Sequence, residues 1–96
     1  MSKAKVKSYA SVWNALADTP EEAANLRLRS TLMQQIARLV ERKGWTQAEA
    51  AARCGVTRPR INDLLHGRIA RFSLDALVNI AAALGHKVTV KLVDAA

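Results

Sequence analysis

The side chains with the most chemical scope in this 96-residue chain lie between Gln47 and Arg71. From Arg53 to Arg71 there are five arginines and one acid, Asp63. Guanidinium groups offer planar forks of donors that match phosphate oxygens and the major-groove edge of guanine. Thr57 stands just before Arg58, Pro59 and Arg60, where a helix would begin, and a helix N-terminus suits a phosphate oxygen. Gln47 opens the preceding helical pattern, whose first backbone N–H groups also lack intrahelical partners. Such an array suits recognition of an anionic surface, not covalent chemistry. No nucleophile has a base placed near it, no glycine-rich phosphate loop is present, and no paired carboxylates line a polar motif. The chain therefore reads as a non-enzyme. His66, His86 and Cys54 are too scattered for a zinc motif, so no metal or cofactor is expected.

The elements around these residues explain how they would be held. Thr46 and Glu49 form a capping box, and Trp45 stands where a hydrophobic staple begins. Ala48, Ala50, Ala51 and Ala52 make the helix that follows thin, so that another helix can cross it closely. Gly55 can take the left-handed conformation that ends it. Thr57 caps the next helix, which tolerates Pro59 in its first turn. There Ile61, Leu64 and Leu65 share one face, while Pro59, Arg60, Asn62, Asp63 and His66 point elsewhere, and Gly67 ends it. Two helices joined by so short a turn make a helix-turn-helix. A second helix with an apolar back and a polar front can enter the major groove of DNA.

The flanking segments complete a small helical domain. Thr19, Pro20 and Glu22 signal a helix start. Leu26, Met33, Ile36 and Val40 share a face widened by Leu32 and Leu39, and Gly44 follows as a stop. The pattern runs for about 24 residues, roughly 36 Å, with room for a kink near Arg29–Ser30. After the basic connector "RIAR", which carries Arg68 and Arg71, Ser73 caps another helix with Phe72 and Leu77 as a staple. Leu74, Leu77, Val78, Ala81 and Leu84 form its stripe, and Gly85 ends it. In "KVTVKLV" the period changes to two, with Val88, Val90 and Leu92 on one face, which predicts a strand. A lone strand needs a pairing partner. A twofold copy of the chain is favoured, giving a homodimer through Val88, Val90 and Leu92; the alternatives are the segment "KVKSYASV" or a partner protein. The expected architecture is mainly α, a helix-turn-helix bundle of four to five helices with a C-terminal β-strand. Residues 1–18 read as a flexible N-terminal arm, 19–85 as the DNA-binding domain and 86–96 as a dimerisation strand and tail.

Composition points the same way. The net charge of +7 directs a domain this small toward nucleic acid or an acidic surface. Half the residues are hydrophobic but only 4% are aromatic, which favours small helices packed closely. One cysteine rules out an internal disulfide framework. No signal peptide and no membrane span are read, and the expected compartment is the cytoplasm.

"TQAEAAARCGVTRPRINDLLHG" resembles the helix-turn-helix of the phage-repressor-like (Xre, Cro-type) regulators, through Gln47, Ala51, Gly55, Thr57, Ile61, Leu64 and Gly67. "FSLDALVNIAAALG" is similar to the helix that follows in that family. More narrowly, "VWNALADTPEEAANLRLRSTLMQQI" and "HKVTVKL" resemble the flanks of HigA-type antitoxins of toxin–antitoxin pairs. The resemblance spans about Val12 to Leu92. It implies binding to double-stranded operator DNA, with Gln47 on a phosphate and Arg58, Arg60, Asn62 and Asp63 facing base edges or backbone. Arg58 is the implied base reader. Pro59 departs from the polar residue of many relatives, which leaves apolar contact with a thymine methyl in place of a hydrogen bond. The resemblance further implies repression of its own operon and neutralisation of a partner toxin; the alternatives are a solitary Xre-type regulator, or a pure protein-interaction module.

Plainer roles stand beside these. Asp63 reads as a partner for Arg60 or a guard against wrong sequences, with acceptance from cytosine as the sharper alternative. His66 reads as a surface or capping residue, Cys54 as a small buried hydrophobe and Trp45 as core. Trp13 suits either the domain's own core or a partner interface.

Overall fold

The computed structural model describes residues 19–94. The arm, with Val12, Trp13 and Leu16, lies outside the described residues, as does the segment weighed as an intramolecular strand partner. Four α-helices and one short 3-10 turn follow in order: α1 (Pro20–Lys43), α2 (Gln47–Cys54), α3 (Arg58–Leu65), the 3-10 turn (Ile69–Arg71) and α4 (Leu74–Ala83).

Helix α1 starts where its residues dictate. The Thr19 hydroxyl accepts from the Glu22 N–H at 3.1 Å, Pro20 occupies the first turn, and Glu21 and Glu22 face the positive end of the helix dipole. The helix runs 24 residues without interruption at Arg29–Ser30 and ends at Gly44. Ala23, Leu26, Leu32, Met33, Ile36 and Val40 are buried on one face, and α4 and the 3-10 turn pack along that helix.

Among the described elements, helices α2 and α3 pack together most extensively. Ala50 and Ala51 of α2 are buried in the core cluster, and such small side chains let a neighbouring helix come close. Gly55 turns the chain at φ 71°, a conformation a Cβ makes costly, and the Val56 N–H closes on the Ala51 carbonyl at 3.0 Å. Ile61 and Leu64 on α3 meet Phe72 and Leu77 in the centre of the core, and these four are the largest fully buried side chains. Leu65 packs at the margin of the same cluster, as do Trp45 and Val56. On α4, Leu77 and Ala81 are buried as the stripe requires. Ile80, outside the expected stripe, is buried with them, because α4 meets both α1 and α2 and so needs a wider apolar face.

The closing segment differs from expectation. Among the described residues there is no strand, and 86–94 has no regular secondary structure. Val88 packs against the core cluster, whereas Val90 is 77% and Leu92 100% exposed. The physical reason is the one that makes any single strand poor: no neighbouring backbone among the described residues offers its N–H and C=O groups a ladder.

Candidate nucleic-acid interface

The turn region presents two helix starts, each closed by a threonine. At α2 the capping box is complete: the Thr46 hydroxyl accepts from the Glu49 N–H at 3.1 Å, and the Thr46 N–H donates to Glu49 Oε1 at 2.9 Å. That backbone hydrogen bond, with the hydroxyl beside it, holds the Glu49 carboxyl below its ordinary pKa. Gln47 is exposed at the first helical position. At α3 the Thr57 hydroxyl accepts from the Arg60 N–H at 3.3 Å. Its own hydrogen remains available to donate to an incoming oxygen.

Along α3 the side chains sort by depth. Thr57, Arg58 and Pro59 are exposed, Arg60 and Asn62 half-buried, and Ile61, Asp63 and Leu64 buried. The polar front of α3 therefore consists of its first turn. Among the described residues no ion pair or hydrogen bond of the Arg58 side chain is found, and the residue is exposed.

Arg60 and Asp63 do something else. The Arg60 guanidinium lies 4.1 Å from the centroid of the Phe72 ring and donates to the Arg71 carbonyl at 2.6 Å. Asp63, only 8% exposed, accepts on a single oxygen from Arg68 Nη1 at 2.7 Å and Arg71 Nη1 at 3.0 Å. The expected pairing of Asp63 with Arg60 is thus replaced by pairing with the two connector arginines. The hydrogen bond from Arg68, joined by that from Arg71, keeps the carboxyl below its ordinary pKa although burial pushes the other way. Arg68 is five residues beyond Asp63, not a helical neighbour spacing. The pair forms because Gly67, at φ 69°, turns the chain back on the helix, and the Arg68 N–H then donates to the Asp63 carbonyl at 3.0 Å.

Arg29 was not singled out by the sequence. From α1 it donates to the carbonyls of Ile69 at 3.3 Å and Phe72 at 2.9 Å, while Asn25 accepts from its Nε at 2.7 Å. The only signal was an arginine in the apolar half of α1, and a contact across 43 positions has no local signature. Elsewhere, His66 forms the C-cap of α3 with its Nδ1 2.8 Å from the Asn62 carbonyl. Cys54 is buried, which pushes its thiol pKa up. Among the described residues no group of histidine, cysteine and carboxylate side chains is placed to hold a metal, and no helix is long and apolar enough to cross a membrane.

Two short capped helices around a glycine turn, with a polar first turn on the second and arginines behind it, define a helix-turn-helix protein, a DNA-binding regulator by class. The comparison with known families agrees: residues 15–93 match the family described as helix-turn-helix domain, and the chain belongs to it. No curated protein matches the chain.

Proposed function

We propose that this protein is a sequence-specific repressor of double-stranded operator DNA and acts as an antitoxin, repressing its own operon and neutralising a partner toxin. The observation that carries DNA recognition is the exposed first turn of α3, where Thr57, Arg58 and Pro59 project over a core-packed back of Ile61 and Leu64. In this reading Arg58 contacts a base edge, Asn62 assists it, Pro59 meets a thymine methyl, and Gln47 and Thr57 hold phosphates. Arg68 and Arg71 approach the backbone from the connector.

The protein works as a homodimer, which sets two α3 helices on half-sites about 34 Å apart. Support comes from the tail. Val90, Leu92 and Val93 are exposed, beside a groove of about 410 Å³ lined in part by Leu32, Ile36, Leu39, Leu84 and Val88. A second copy buries these residues and closes the symmetry. A regulator of this kind acts in the cytoplasm, where its DNA is.

The antitoxin role rests on the sequence resemblance of the flanks. Its test is twofold: fluorescence anisotropy with the DNA upstream of the protein's own reading frame, and co-expression with the product of the neighbouring gene. Saturable binding to the upstream DNA in preference to unrelated duplex, together with rescue of growth from a toxic neighbour, is expected. DNA binding without any toxic neighbour leaves a solitary regulator.

A further inference from the structure

The connector between α3 and α4 is fastened more tightly than a surface loop requires. Arg29 donates to the carbonyls of Ile69 and Phe72, and Arg60 to that of Arg71. The Arg71 N–H donates to the Arg68 carbonyl and the Phe72 N–H to that of Ile69, each at 3.1 Å. Phe72 itself is buried. With the backbone so held, the two arginines of the connector lean on one oxygen of Asp63.

Each guanidinium spends one Nη1 hydrogen bond on that oxygen and keeps further N–H donors. Each stays open to solvent, at 45% exposure for Arg68 and 61% for Arg71. Two cations that would otherwise repel and wander are gathered side by side on one oxygen, and neither is buried. A tetrahedral anion accepts from two such forks at once.

From this we infer that Arg68 and Arg71 form one preorganised site for a backbone phosphate, and that Asp63 is its positioning residue and not a reader of bases. The inference rests on the DNA-binding reading above and names the ligand of this part of it, a phosphodiester of the duplex. Asp63 acts through the arginines: it lowers the entropy lost when two long side chains are fixed on the ligand.

A plain charge account gives the opposite sign for the decisive variant. Asp63→Asn raises the net charge by one, so long-range attraction alone tightens binding to DNA. Loss of positioning weakens it. The experiment selects duplexes from a random-sequence library with the full-length protein, then measures Kd for selected and unrelated duplexes. For Asp63→Asn we expect a loss of roughly three- to tenfold on both duplexes, with the selected base preferences unchanged and Asp63→Glu recovering part of the loss. Circular dichroism confirms that each variant is folded at the temperature used.

A second measurement does not depend on altering Asp63. Arg68→Ala and Arg71→Ala should each lose most of the site, and the double variant little more than either single one. Tighter binding by Asp63→Asn, a changed base preference, or independent losses at Arg68 and Arg71 overturn the inference while leaving the DNA-binding reading intact. A wild-type protein that enriches no duplex overturns both.

Discussion

The guanidinium of Arg60 stacks 4.1 Å from the ring centroid of Phe72, so a half-buried residue of α3 closes over the core instead of reaching outward. The stack ties α3 to the connector, and Arg60 extends the tie by donating to the Arg71 carbonyl. A ring that directly follows the 3-10 turn thereby helps to set where Arg71, within that turn, and Arg68, just before it, stand.

This contact yields the first prediction. Phe72→Ala opens a cavity among Ile61, Leu64 and Leu77 and removes the surface under Arg60, and should cost about 3–5 kcal/mol. Phe72→Leu keeps most of the volume and should cost less, with about 0.5–2 kcal/mol of its effect arising from the lost cation–π contact. Urea unfolding of the two variants, with Arg60→Ala in each background, measures both quantities. Equal losses for the two substitutions refute the cavity argument.

Arg58 is the test of base reading. Arg58→Ala should weaken binding to a preferred duplex by about 1–3 kcal/mol and relax preference at one base position. Anisotropy titrations against a panel of single-base variants check it. An unchanged rank order across the panel rules out a base contact by Arg58.

Salt should govern affinity. If a dimer neutralises about six phosphates, log K falls with log salt at a slope near −5, at about −0.9 per phosphate. Titrations between about 50 and 200 mM salt suffice, and a flat line defeats the electrostatic account.

Acid should unfold the domain through identifiable groups. The Asp63 carboxyl is held low by the hydrogen bonds from Arg68 and Arg71, and that of Glu49 by Thr46. A carboxyl with a lower pKa in the folded state stabilises the fold above its unfolded value. That contribution is lost as pH falls through the folded value. The loss therefore lies below about pH 4. Thermal melts across this range should show a steep fall in Tm for the wild-type protein and a shallower one for Asp63→Asn, which starts lower at neutral pH. Parallel curves would show that the Asp63 ion pairs carry no acid-sensitive stability.

Truncation after Gly85 addresses the proposed assembly. It removes Val88, Val90 and Leu92, and should convert a dimer into a monomer with much weaker operator binding as two-site avidity is lost. Sedimentation equilibrium at micromolar protein decides between the two states. A monomeric full-length chain rejects the dimer.

The helices were legible because their signals are local. Thr19, Thr46, Thr57 and Ser73 each place a hydroxyl three residues before the N–H that it accepts from, and all four caps form. The spacing of Ile61 and Leu64 marks the buried back of α3 for the same reason, since one turn of helix fixes which residues share a face. The alternation of Val88, Val90 and Leu92 was equally plain, yet a strand is a relation between two backbones, and the segment forms none among the described residues. The site divides in the same manner. Exposure of Thr57, Arg58 and Pro59 follows from their position in the first turn. The inward turn of Arg60 and the capture of Arg68 and Arg71 by Asp63 depend on Gly67 reversing the chain and on Phe72 reaching the core. Sequence alone determined the helices, their caps and the concentration of arginines. Only the tertiary structure decided which arginines face outward and which hold the connector, because side chains distant in sequence choose partners by where the packed backbone sets them.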